Sequence, residues 1–164
     1  MAGTDARPHI AALDEFYGIF TEKLTEGGSV TFPPRGTSML PMLRAYGDSV
    51  TIVMPPARMK KGTVALFVLK NEDGSRKYIL HRLVRKKGGK LIFCGDHRSS
   101  CDPPVGAEDV IGVVSRYRSR GKECSIDSLL YRLYSFWMVH TTGFRGLALK
   151  VENFIYKIWK KLHG

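Results

Sequence analysis

Between Val30 and Tyr117 the chain is a succession of short β-branched runs separated by turn residues, and no other sequence feature limits its fold as strongly. The runs are "SVTIVM", "TVALFVL", "KYILHRLV", "KLIFCG" and "VIGVVSRY". Asn71 to Ser75 ("NEDGS") and Lys86 to Lys90 ("KKGGK") have the composition of hairpin connections between neighbouring strands. Connections this short join antiparallel strands, whereas parallel pairing needs a crossover of a dozen residues or more. The segment is therefore expected to form a mainly antiparallel β domain with helices at its periphery, an α+β layout and not a βαβ one.

Helical periodicity flanks this segment on both sides. Ile10, Leu13, Phe16, Tyr17, Phe20 and Leu24 recur at helical spacing, and Gly27-Gly28 marks the stop. Toward the other end, Ile126, Leu129, Leu130, Leu133, Phe136 and Trp137 fall on one helical face. After the break at Gly143 to Gly146, so do Val151, Phe154, Ile155, Ile158 and Leu162. The expected organisation is an N-terminal amphipathic helix over 1–29, a β domain over 30–118 and basic amphipathic helices over 119–164. At 164 residues this is one ordinary domain with short appendages.

Charge and composition restrict the classes of function. Apolar residues are 43% and charged residues 25%, a globular composition that excludes a disordered chain. The 26 Lys and Arg against 15 Asp and Glu leave a net charge of +11, which favours an anionic partner, nucleic acid or phospholipid. Between Arg116 and Gly164, ten basic residues face three acidic ones, a net +7, and both tryptophans lie there. Basic helices with Trp and Phe on the apolar side suit a membrane interface, and they equally suit packing on the β core or on a partner. The N-terminus has no secretory-signal pattern, and no window of eighteen apolar residues suggests a membrane span. Cys94, Cys101 and Cys124 form an odd set without disulfide-scaffold spacing, so reduced thiols are expected. Cys94, His97 and Cys101 lack the paired spacing of a zinc site, and no metal or cofactor is expected.

The candidates for chemistry lie inside the β segment. In "PRGTSMLPML", residues 34–43, Ser38 follows a Gly-Thr step on a loop. A lone serine there is normally a turn residue, and as a nucleophile it needs a base, itself oriented by a third group. His81, in the strand-like "YILHRLV", is the best base. The loop "FCGDHRSSCDPP" then offers Asp96 and Asp102, six residues apart, either of which suits the role of orienting acid.

Taken in order, "GTSMLPML", "YGDSVTI", "KKGTVALF", "LHRLV", "CGDHRSSCD" and "EDVIGVV" resemble the successive boxes of the signal-peptidase-like serine proteases. The likeness runs from about Gly36 to Val114, roughly half the chain. It implies the coiled antiparallel β core shared by signal peptidases and self-cleaving repressors. His81-Arg82 stands where one branch of the family has a lysine base, so the chain is similar to the histidine-using archaeal and endoplasmic-reticulum type. The resemblance makes Ser38 the nucleophile, His81 the general base and Asp102 its acid, with Asp96 a supporting carboxylate. The backbone N–H of Ser38 is then the first oxyanion donor, and Met39, Leu40, Pro41 and Met42 form a substrate-side or membrane-side surface, core packing being the other reading of the methionines. The implied function is cleavage of a signal-like or leader-like peptide segment in a protein substrate, at a membrane periphery or in the cytoplasm. Residues 1–33 show only an amphipathic helix where such enzymes carry an anchor, so the basic C-terminal helices are candidates for a contact with an anionic membrane, a partner or a leader peptide. A self-cleaving repressor or an inactive binding protein of the same fold is the alternative. About thirty residues before the first box are too few for a helix-turn-helix domain and its linker, which makes nucleic acid an unfavoured partner.

Overall fold

A computed structural model describes residues 17–144. Helix α1, residues 17–25, leads into strands β1 (Val30–Phe32), β2 (Ser49–Val53), β3 (Val64–Lys70), β4 (Arg76–Lys87), β5 (Lys90–Cys94), β6 (Val110–Ser119) and β7 (Lys122–Ser125), and helix α2 (Leu129–His140) follows. All strand pairs are antiparallel, in the order β1-β2-β6-β3-β4-β5, with β7 added to β6. The chain is thus a mainly antiparallel β protein with peripheral helices, as the runs and turns imply. Of the periodic residues in the flanking helices, Ile10, Leu13, Phe16 and the face from Val151 to Leu162 lie outside the described residues.

The hairpins form where turn chemistry demands them. β4 and β5 are joined by Gly88 and Gly89, with φ of 55° and 75°, a pair of left-handed residues that only a primed two-residue turn requires. At the end of α1 the N–H groups of Gly27 and Gly28 return to the carbonyls of Leu24 and Lys23, closing the helix at the predicted stop. β7 has no run of its own in the sequence. It is a short, polar extension, Lys122 to Ser125, that pairs with the end of β6 and carries the sheet past residue 118.

β3 is central, and successive side chains of a strand point to opposite faces, so its residues feed two cores. Val64 and Leu66 join Leu24, Val50, Ile52 and Val114 on one side, while Ala65 and Phe67 join Leu83, Phe93 and Val113 on the other. Phe67 and Phe93 stack with ring centroids 4.4 Å apart. Met39, Met42 and Leu43 are buried in the first core. The two methionines of the Ser38 loop are therefore packed in the core, where this loop covers the face of the sheet, and Met39 also borders the cleft beside Ser38.

The far end of that loop is fastened by one carboxylate. Asp48, 3% exposed, accepts hydrogen bonds from the backbone and guanidinium of Arg44, the Ser119 hydroxyl and the Arg120 N–H. Arg120 has φ of 52°, so this acid also supports a left-handed residue at the β6–β7 turn. The hydrogen bond from Arg44 comes first among the causes that hold the Asp48 carboxyl far below its ordinary value, against the opposing effect of burial. A depressed carboxyl contributes stability that is complete above the unfolded value, about 3.9, and is lost as the pH falls through the folded one. Asp48→Asn should lower the melting temperature at neutral pH by several degrees, and the gap to the wild type should narrow below about pH 4, where the unfolded chain's carboxyl takes up a proton that the native carboxylate does not. Thermal melts from pH 7 to pH 2 read this directly, and a gap of constant size would rule the ion-pair account out.

Candidate active site

The site is built on two adjacent residues of β4. His81 stands opposite Ala65 of β3, and Arg82 is opposite both Val64 of β3 and Cys94 of β5. Neighbouring residues on a strand face opposite ways, so the imidazole and the guanidinium leave the sheet on different sides. Both are buried, at 4% and 0% exposure. Each therefore needs a polar partner, since a buried polar or charged group without one is costly.

One loop supplies both partners. Asp102 Oδ2 lies 2.6 Å from His81 Nδ1, a short bond that orients the ring with Nε2 as its other face. Asp96 accepts two hydrogen bonds from Arg82, from Nε at 2.8 Å and from Nη2 at 2.7 Å, the bidentate geometry a guanidinium favours. The six-residue separation of the two acids thus spans the strand from one face to the other. Asp102 is the acid on the histidine, and Asp96 serves the arginine beside it.

Arg82 has further partners that the sequence did not reveal. Its Nη1 donates to the carbonyl of Gly62, to the Tyr131 hydroxyl and to Ser135 Oγ, and Nη2 reaches Met42 Sδ. Tyr134 donates its hydroxyl to Asp96 Oδ2 at 2.8 Å. Burial works against the Arg82 charge, and the hydrogen bonds and charge of Asp96 outweigh it, so the guanidinium is held above its ordinary value. Burial likewise pushes the Tyr131 phenol up. An arginine set in the apolar "LHRLV" does signal a buried charge awaiting an acid. Nothing local marks Tyr131, Tyr134 and Ser135 of α2 as its ligands.

Ser38 is half-buried and lines the same cleft as His81 and Asp102. Its carbonyl accepts the His97 N–H at 2.8 Å, which joins the serine loop to the acid loop. Gly95 makes this approach feasible. A Cβ there would lie 2.6 Å from the Ser38 carbonyl oxygen and 2.9 Å from His81 Nε2, closer than real Cβ atoms come, so the position admits only glycine. Ser38 Oγ and His81 Nε2 are not hydrogen-bonded to each other. The cleft has a volume of about 490 Å³. Phe20, Phe32, Met39, Leu43 and Leu66 make its apolar wall, and Arg35, Lys77 and Arg98 bring basic groups to it. Among the described residues, no cluster of His, Cys, Asp and Glu is arranged to hold a metal ion.

Compared with family models, with curated proteins and with solved structures, the chain matches none of them.

The two acids should separate cleanly in a denaturation experiment. Asp96→Asn leaves a fully buried guanidinium without its counter-charge and should cost about 3–5 kcal/mol. Asp102→Asn should cost about 1 kcal/mol, because its partner is an imidazole that need not be charged. Urea unfolding of both variants measures the difference, and equal losses would mean that the two carboxylates share one structural role.

Proposed function

We propose that this protein is a serine endopeptidase of the signal-peptidase-like type, cleaving a signal-like or leader-like segment of a protein substrate, with Ser38 as nucleophile, His81 as general base and Asp102 as its orienting acid. The observation that carries the reading is the 2.6 Å bond between Asp102 and His81 Nδ1, made in the cleft that Ser38 lines. A serine hydroxyl becomes a useful nucleophile when a neighbouring imidazole takes its proton, and a carboxylate on the far ring nitrogen holds the imidazole in the working tautomer. In this mechanism His81 Nε2 accepts the Ser38 proton during attack on the peptide carbonyl and returns it to the leaving amine. Asp102 stabilises the imidazolium in between, and the Ser38 N–H donates to the developing oxyanion. The apolar wall of the cleft suits an extended segment with apolar side chains. The coiled β core of signal peptidases and self-cleaving repressors belongs to the same proposal, which the order of the sequence boxes and the antiparallel sheet support.

The test is cleavage of a panel of leader-like peptides by the purified protein. Ser38→Ala and His81→Ala should remove nearly all turnover, and Asp102→Asn should lower it by about 10³ to 10⁴. Asp96→Asn, where it folds, should cost less. Turnover should also fall toward acid pH, since only the neutral imidazole accepts a proton. Undiminished cleavage by folded His81→Ala would end the proposal. The absent Ser38–His81 hydrogen bond favours one other reading, an inactive peptide-binding protein of the same fold. That reading predicts tight peptide binding, unaffected by Ser38→Ala, with no product.

The location we propose is the surface of an anionic membrane, and α2 supports it. Leu129, Leu130, Leu133, Phe136 and Trp137 are between 58% and 81% exposed, with Phe144 beyond them at 79%. The helix packs on the sheet through Tyr131, Ser135 and Met138 instead, which leaves its apolar side outward on a chain of net charge +11. An apolar patch of this kind on a basic protein fits insertion at a lipid interface. Among the described residues no helix is long and apolar enough to cross a membrane. The protein should bind vesicles rich in anionic lipid, with a blue shift of tryptophan emission and with binding weakened but not abolished by salt. Leu130→Glu with Trp137→Glu should abolish binding and leave the fold intact. Unchanged binding by that double variant would remove α2 from the contact.

A further inference from the structure

Two cysteines face each other at the neck of the loop that carries both acids. Cys94, the last residue of β5, and Cys101 form an isolated antiparallel bridge. The Asp102 N–H donates to the Phe93 carbonyl at 2.8 Å. A bond from the residue after one partner to the residue before the other makes Cys94 and Cys101 a non-hydrogen-bonded pair, the kind in which Cα atoms approach to about 4.5 Å and side chains lie closest. That separation is inside the disulfide range of about 4.4–6.8 Å. The Cys94 thiol is directed across the bridge, toward the Ser100 carbonyl oxygen at 3.4 Å. Cys94 is 1% exposed, whereas Cys101 is open to solvent. Cys124 pairs with Tyr117 in the β6–β7 hairpin, away from this bridge.

We propose that Cys94 and Cys101 form a reversible disulfide that locks the acid-bearing loop, with a low-molecular-weight disulfide as the oxidant. The accessible Cys101 thiolate attacks one sulfur of the small disulfide and releases one small thiol. The Cys94 thiolate then attacks the Cys101 sulfur of the mixed disulfide, forming the Cys94–Cys101 bond and releasing the second thiol. Two protein thiols are oxidised, one small disulfide is reduced to two thiols, and the two protons pass to those thiols. The ring so closed contains Asp96, which holds Arg82, and His97, whose N–H holds the Ser38 carbonyl. It ends one residue before Asp102, which holds His81. Oxidation therefore tightens the one segment that touches every part of the site. The bond itself is independent of the protease reading, while its effect on turnover rests on it.

The experiment is incubation of the full chain with oxidised glutathione, quenching with an alkylating agent and peptide mapping by mass spectrometry. The expected product is a Cys94–Cys101 cross-linked peptide, lighter by two hydrogens and reversed by dithiothreitol. Cys94→Ser should stall as a glutathione adduct on Cys101, and Cys101→Ser should give no cross-link. Backbone hydrogen exchange over 95–102 should slow by about tenfold in the oxidised form, because opening of the loop then needs a wider rearrangement. A wild-type protein that stalls at the Cys101 adduct, or one that cross-links without slower exchange, overturns the proposal. Peptide cleavage is measured on both forms alongside. A cross-link with slowed exchange but no cleavage in either form upholds the lock and counts against the protease reading alone.

Discussion

The ion pair between Arg82 and Asp96 is the interaction on which the rest of this site depends. Both side chains are fully buried, and taking two charges out of water is recovered only through close geometry and complete hydrogen bonding. That requirement explains the number of elements gathered here. Arg82 comes from the middle of β4, Asp96 from the loop after β5, Gly62 from the turn before β3, Met42 from the end of the serine loop, and Tyr131 and Ser135 from α2. A pair of this kind is a poor source of net stability and a strong determinant of arrangement, since any shift of one element leaves a buried charge exposed to an apolar surrounding.

His81 benefits from this arrangement without taking part in it. The histidine is the neighbour of a residue fixed by six contacts, and its own acid is carried by the same loop that is anchored through Asp96. Strand alternation sends the two side chains to opposite faces, which keeps the imidazole in the cleft and the permanent charge of the guanidinium away from it. Separating the two by the thickness of the sheet lets one loop serve both.

The same pair explains the unusual orientation of α2. An amphipathic helix on a β domain ordinarily turns its apolar stripe inward. Here the face against the sheet includes Tyr131 and Ser135, because Arg82 has donors that only hydroxyls and carbonyls can satisfy. Leu130, Leu133, Phe136 and Trp137 are consequently left facing out. The polar requirement of the site and the apolar surface of the molecule are two sides of one helix.

Local chemistry determined much of this architecture. Period-two runs, the Gly88-Gly89 and Asn71–Ser75 turns and the Gly27-Gly28 stop are short-range signals, and the strands, hairpins and helix end follow them. The residue types of the site were legible too: a serine on a glycine-preceded loop, a strand histidine and two acids in one loop. β7 was not legible, because an edge strand of Lys, Glu, Cys and Ser has no apolar face to pattern. Tertiary structure brought Asp102 to His81, the pairing that the resemblance implied, and it alone gave Asp96 to Arg82, across 21 and 14 residues of chain. It also put Met39 and Met42 in the core, set Cys94 opposite Cys101 and turned the apolar face of α2 outward. Those outcomes depend on the register between β4, β5 and the loop that follows, and on which face of the sheet each side chain leaves. Register is a property of paired strands, and a single strand read along its own sequence does not contain it.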